Sequence, residues 1–223
     1  MSPPVAARSH QTRATRDLIL DAAERRFGER GFTGVSMRDL AAEAGLRNQA
    51  SLYNHFRNKR ALYEAVLTRG IDPIIAVITA SAAASRSGQE VTPAAFLDVV
   101  IDYLIEHPHL PRLLQRAALD DSRQLRNIVV RLIRPVYSQG VKVLGETSRH
   151  WERGDIPHLA IGLYQLIFGY FTSAPLFATV ADEDPMSATA LARQARFVKV
   201  AVARLLDDAA PERPAARRRR DGR

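Results

Sequence analysis

The sequence contains no cysteine, which excludes a disulfide scaffold and a thiolate-held metal site. No apolar run approaches the roughly 18 residues of a membrane span, and the N-terminus lacks the apolar stretch of a signal peptide, so the chain reads as soluble, intracellular and cytoplasmic. Windows with strand-like alternation are few. Internal repeats are absent. Also missing are a GxSxG nucleophile turn, a phosphate-binding loop, an HExxH helix and a recognisable carboxylate pair. An enzyme is therefore not expected, and no cofactor is called for.

What is present is ordinary in bulk and uneven in placement. Of the 223 residues, 46% are hydrophobic and 25% charged, as in a soluble globular protein. The net charge of +8 is concentrated at the ends: +5 in residues 1–60, −1 in 61–210 and +4 in 211–223. A basic N-terminal quarter suits a polyanion partner. Surplus arginine also serves solubility alone, and charge by itself does not choose between the two.

Apolar residues recur mostly at spacings of three and four among Ala, Leu, Arg and Glu, which predicts an all-α fold of about nine helices. Residues 1–11, with Pro3 and Pro4, read as a disordered arm. A first helix covers about 12–30, with Ile19, Ala22, Ala23, Arg26 and Phe27 inward and Gly31 at its C-cap. Ser36-Met37-Arg38-Asp39 fits a capping box opening a second helix, with Leu40, Ala41 and Ala44 buried and Gly45 allowing a left-handed turn. A third helix spans about 48–56 with Leu52 and Phe56 inward. Asn58 caps a fourth, which Pro73 should kink or end. Residues 81–91 read as a loop, Thr92-Pro93 as the start of the next helix, and Asp120 or Asp121 as the cap of a long helix to about His150. Asp155 caps a helix over 157–179 that is apolar nearly all round, and Asp184-Pro185 starts a last one to about Leu206. The resulting domains are 12–60 for a helix-turn-helix unit, 61–208 for a helical regulatory and dimerisation unit, and 209–223 for a basic disordered tail.

The third helix is too short to hide its polar residues, and a helix laid in a DNA major groove need not hide them. Arg47, Asn48, Gln49, Ala50, Ser51, Tyr53, Asn54 and His55 are the candidates on and around its outward face. Asn and Gln can pair bidentately with adenine, and Arg47 with guanine. Tyr53, His55 and Lys59 suit phosphate oxygens, and Ser36, Met37 and Arg38 place a helix start, with its free backbone N–H groups, beside the duplex. A helix-turn-helix pair also occurs inside ordinary helical proteins, where Tyr53 and Phe56 would only be core. Arg8, Arg13 and Arg16 could enter a minor groove as an arm, or remain solvated, and Arg217 to Arg220 read as a solvated tail.

These residues resemble a known family. "ILDAAERRFGERGFTGVSMRDLAAEAGL" followed by "SLYNHFRNKRALYEAVL" is similar to the DNA-binding domain of the TetR family of transcriptional regulators, over about residues 12–67. The shared features are the apolar helix ending in F..RGF, the Ser-capped second helix, and the LY.HF..K..L run. The resemblance implies a homodimer that represses a double-stranded DNA operator and lets go when a small-molecule effector fills a C-terminal helical pocket. Here the step from Gly45 to Tyr53 is one residue longer than the commoner pattern. That leaves open which of Asn48, Gln49, Ala50 and Ser51 faces the groove floor.

One recognition helix reads few base pairs, so a two-fold dimer is expected. The last two helices are its candidates, through Leu159, Leu163, Leu166, Ile167, Tyr170 and Phe171 on one and Val198, Ala201, Val202 and Leu205 on the other. Tyr103, His107, Arg116, Tyr137, Tyr164 and Phe168 interrupt apolar stripes and could line an effector pocket, although each alone is more often a satisfied core residue. His107 and His109 lack a third ligand, so no metal is expected.

Overall fold

A computed structural model describes residues 5–88, 93–120, 122–148 and 150–207. Among these there are nine helices and no strand: α1 (Val5–Arg30), α2 (Met37–Glu43), α3 (Gln49–Tyr53), α4 (Lys59–Arg86), α5 (Pro93–Glu106), α6 (His109–Leu119), α7 (Arg123–Thr147), α8 (Ile156–Val180) and α9 (Ala188–Asp207). The expected all-α class is the one observed.

The helix boundaries follow local chemistry. Gly31 takes φ +71° and its N–H donates to the Phe27 carbonyl at 2.9 Å, so α1 ends on a left-handed glycine. Gly45 does the same for α2 at φ +68°, and the Leu46 N–H reaches back to the Ala41 carbonyl at 2.9 Å. Asn58 caps α4 by accepting the Ala61 N–H at 2.8 Å.

Several boundaries differ from the sequence expectation. α1 starts at Val5, so residues 5–11 are helical rather than a loose arm. Ala6, Ala7, Arg8 and Gln11 are strong helix formers, and they extend an existing helix without needing an apolar stripe. α4 passes through Pro73 and continues to Arg86, where a loop was expected from 81. That alanine-rich stretch lacks periodicity but not propensity, and the helix stops only before Gly88 at φ +79°. The expected domain boundary after residue 60 therefore falls inside the first turn of one continuous helix. Ser122, not Asp120, caps α7 by accepting the Leu125 N–H, and α7 ends at Thr147 rather than His150. Asp155 precedes α8 without a side-chain cap bond, and α9 begins at Ala188, past Asp184-Pro185, with Ser187 accepting the Ala190 N–H. Asp121, Thr92 and the 209–223 tail lie outside the described residues.

One core runs through the molecule. α4 packs on α1, α5, α6 and α7, while α6 touches α1, α4, α7 and α8, so these two helices join the N-terminal three-helix unit to the rest. The close approach is made by glycine. A Cβ on Gly70 would sit 2.4 Å from Leu110 Cδ1, and one on Gly28 would sit 3.1 Å from the His109 carbonyl oxygen. α4 and α8 are long and apolar enough to cross a membrane by length and composition, which corrects the expectation that no such run exists. α8 buries Ile156, Leu159, Ile167, Phe168, Phe171 and Ala174 against the bundle.

Candidate nucleic-acid interface

The interface is built on a small, tightly braced unit. Phe27, Phe32 and Tyr63 form an aromatic cluster, with Phe27 and Phe32 centroids 5.0 and 5.1 Å from the Tyr63 ring, both edge-on. Burial pushes the Tyr63 hydroxyl pKa upward. Arg26 donates to Glu43 through Nε at 3.0 Å and Nη2 at 2.5 Å, tying α1 to α2. That contact holds the Glu43 carboxyl below its usual range.

The capping box at Ser36 is complete. The Asp39 N–H donates to Ser36 Oγ at 3.1 Å, the Ser36 N–H donates to Asp39 Oδ2 at 2.9 Å, and Ser36 Oγ–H donates to the same oxygen at 2.7 Å. These bonds, the backbone one first, lower the Asp39 pKa. The first-turn amides of Met37 and Arg38 are left by helix geometry for an outside acceptor. The Met37 side chain is buried with Leu40 and Ala41, and the role expected of Met37 is that of its backbone N–H. Arg38 is exposed.

In α3, Leu52 is fully buried and Phe56 nearly so, which aims the opposite side outward: Gln49, Ala50 and Tyr53 are exposed, Tyr53 to 46%. Asn48 is the N-cap, and its Oδ1 accepts the Ser51 N–H at 2.9 Å and the Ser51 hydroxyl at 3.1 Å. Asn48 and Ser51 are engaged with each other in holding the helix start, while Gln49 Nε2 donates to the Tyr53 hydroxyl at 3.2 Å across one turn. Arg47 and Asn54 are exposed and His55 is half-buried. Lys59 Nζ lies 4.4 Å above the Phe32 ring. Its pKa is lowered by burial, with the Asp39 charge opposing. Ser36 and Arg38 thus stand at the start of α2, Gln49 and Tyr53 on α3, and Lys59 at the start of α4.

Of the residues expected to form an effector pocket, the structure pairs Tyr103 with His107 and Tyr164 with Phe168. Tyr103 donates its hydroxyl to the Gly70 carbonyl at 3.1 Å, and its ring centroid lies 4.5 Å from that of His107. Burial, with the Glu24 charge second, raises the Tyr103 pKa to about 12. Arg116 donates to the Glu29 carbonyl at 2.9 Å. Tyr137 is exposed, and Tyr164 stacks on Phe168 at 4.7 Å on α8. A small void lies between α5, α8 and α9, lined by Ile101, Ile105, Ile167, Phe171, Leu191 and Val198, with about 10 Å³ of free space, room for one water. None of the six expected residues lines it. Of the ten dimer residues chosen from sequence, Leu159, Ile167, Phe171, Val198 and Val202 are buried in their own chain, Leu163, Leu166, Tyr170 and Ala201 are half-buried, and Leu205 is exposed. The exposed apolar residues of α8 and α9 include Leu176, Phe177, Val180, Phe197 and Val200.

Sequence reasoning missed a buried ion cluster at the seam of α1, α4 and α5. Glu24, 5% exposed, accepts from Arg69 Nη2 at 2.9 Å and lies 3.3 Å from His107 Nδ1, while Arg69 Nη1 also donates to Asp21 at 2.7 Å. The available signal was a carboxylate on the apolar line from Leu20 to Phe27. Among the described residues, no group of three or more His, Asp or Glu is placed to hold a metal.

Residues 19–66 match the profile of the bacterial regulatory proteins, tetR family. The probable HTH-type transcriptional regulator YttP of Bacillus subtilis is 28% identical over 159 residues, 69% of this chain and 75% of its own length. The HTH-type transcriptional repressor KstR2 of Rhodococcus jostii is 34% identical over 74 residues, 33% of this chain and 36% of its own length. A transcriptional regulator from Aquifex aeolicus superposes with a TM-score of 0.61 at 18% identity, covering 86% of this chain and 99% of that one, a likeness of fold.

Proposed function

Because the chain belongs to the tetR family of bacterial regulatory proteins, we propose that this DNA-binding transcriptional regulator is a cytoplasmic repressor that grips a palindromic operator as a homodimer and is released by a small-molecule effector. The observation that carries the reading is the outward face of α3: Gln49 and Tyr53 are exposed while Leu52 anchors the helix from behind and Asn48 caps it. In this reading Gln49, Ala50 and Arg47 meet base edges. Tyr53, Asn54, His55, Lys59 and the start of α2 at Ser36–Arg38 hold phosphates. Repression is brought over from KstR2, which is 34% identical over 74 residues.

An effector would act through α4 and α6, the two helices that touch both halves. It must favour the conformation that does not fit DNA, or it shifts nothing. The small size of the void between α5, α8 and α9 means that the bundle would have to open around the ligand. That same observation favours a second reading, a sequence-nonspecific DNA-binding protein without an effector.

Selection from a random duplex library separates the two. A regulator prefers its site over random DNA by about 10³ or more, and a coating protein does not. On the selected site, Gln49→Ala relaxes base preference, whereas Lys59→Gln weakens all sequences alike and lowers the salt slope by about one per protomer. Identical behaviour of the two variants would end the division into reading and positioning residues.

A further inference from the structure

We infer that the void between α5, α8 and α9 seats an uncharged, largely hydrocarbon effector with one hydrogen-bonding group, and that α5 passes its arrival on to the DNA-binding unit; this rests on the effector-responsive reading above. The lining decides the chemistry. Gln194 is its one polar member, set among side chains that include Ile101, Ile105, Phe171 and Leu191. A water needs about two to four polar partners, and one amide does not supply them, so a hydrocarbon group suits the space better. Such a group also gives the walls dispersion contacts that a gap forfeits. The Gln194 amide both donates and accepts, which matches a hydroxyl, ketone or ester.

A charged ligand finds no counter-charge there. Lys199 pairs with Asp98 and joins α9 to α5, one turn along each helix from Ala195 and Ile101. Arg193 is exposed and paired with Glu183, and Arg196, Asp102 and Glu106 are exposed. A carboxylate seated in the void would be buried without a partner, which costs more than its tail returns. Entry lies between α5 and α9, where Ile105, Gln194 and Ala195 are half-buried, while Phe171 and Val198 behind them are buried. The free space of about 10 Å³ is far below the volume of such a molecule, so these two helices must part to admit it.

α5 turns one side to the void and the other to the supports of the DNA-binding unit. At about 100° per residue, Ile101 and Ile105 fall about 40° apart, and Tyr103 lies about 160° from both. His107 continues the line of Tyr103, since its N–H still donates to the Tyr103 carbonyl at 2.9 Å. The Tyr103 hydroxyl donates to the Gly70 carbonyl of α4 at 3.1 Å, and His107 Nδ1 lies 3.3 Å from Glu24 of α1. Displacing α5 at Ile101 and Ile105 therefore loads both contacts, because a close-packed interior transmits strain.

The test uses the full chain, an operator selected from a random duplex library, and straight-chain alcohols from butanol to decanol, with octanoate as the charged match. Fluorescence anisotropy follows operator affinity and thermal melts follow seating, each protein being compared with itself without alcohol. Affinity should fall with chain length, by about tenfold at octanol, while the melting temperature rises. Octanoate should do neither. Ala195→Phe fills the void from α9 and Ile105→Phe fills it from α5, so a folding failure in one leaves the other to decide. Either should abolish both responses. Tyr103→Phe, which lacks the bond to Gly70, should keep the rise in melting temperature and lose most of the fall in affinity. Octanoate as effective as octanol, or a full octanol response in a folded filling variant, overturns the inference. A Tyr103→Phe variant released like the wild type overturns the route through α5. A wild type that no alcohol stabilises or releases also overturns the inference; its release by another molecule from a metabolite library then leaves the effector reading standing. A wild type that selects no operator overturns the DNA reading and this inference with it.

Discussion

His109 concentrates the tension at the joint between the two halves. It opens α6 directly against Gly28 of α1, and its Nδ1 is buried with no hydrogen-bond partner among the described residues. Burial lowers its pKa from 6.5, Glu29 and Glu24 oppose that shift, and Arg112 and Arg25 reinforce it. The unfolded chain therefore takes up a proton at a higher pH than the folded chain does. Stability linked to this group rises with pH and is lost as pH falls below about 6.5. The carboxylates Asp39 and Glu43, whose pKa values are lowered from 3.8 and 4.5, withdraw their contributions only in more acidic solution. The unfolding midpoint should thus decline between about pH 6.5 and 5, and His109→Leu should flatten that decline whatever it does to absolute stability. Thermal melts of both proteins across that range decide it. An unchanged slope in the variant would assign the acid sensitivity to another group.

At the scale of the element, short helices depend on their caps because they have few internal bonds. α2 is seven residues long and held at its start by the reciprocal bonds of Ser36 and Asp39. Ser36→Ala should cost about 1 kcal/mol, read as a lower denaturant midpoint at unchanged m-value, and should weaken DNA binding more than it weakens folding if the start of α2 holds a phosphate. The caps of the N-terminal helices were the legible part of this fold. Ser36 and Asn58 announced α2 and α4, and Gly31 and Gly45 announced where the preceding helices stop. The early start of α1 and the late end of α4 were not legible, since Ala6-Ala7 and Ala82-Ala83-Ala84 carry propensity without the apolar period that marks a helix. The outward face of α3 was readable from Leu52 and Phe56 at i, i+4. The N-cap role of Asn48 was not legible, because an N-cap and a base-pairing amide are the same chemical group. The partners of the expected pocket residues were hidden for a related reason. Tyr103 and Arg116 do meet partners, but those are backbone carbonyls of Gly70 and Glu29, which no side-chain pattern reveals.

For the whole molecule, the proposed dimer explains where the remaining apolar surface goes. α8 has no Asp, Glu, Lys or Arg in 25 residues, yet only part of it is covered by its own chain. Leu176, Phe177 and Val180 on α8 are 63%, 51% and 68% exposed, and Phe197 and Val200 on α9 are 56% and 58% exposed. Exposed large apolar side chains grouped on two helices mark an interface. These side chains are outside the core, so Phe177→Glu/Phe197→Glu should change monomer stability by little. It should nevertheless convert the dimer to a monomer in sedimentation, because two carboxylates per protomer would be buried without partners. Losing the second half-site removes the effective-concentration advantage, so affinity for a palindromic site should fall by about 10² to 10⁴ while affinity for an isolated half-site stays the same. If the variant sediments as a dimer and keeps its operator affinity, the partner is seated elsewhere on the bundle, and the exposed apolar face of α8 and α9 needs another occupant.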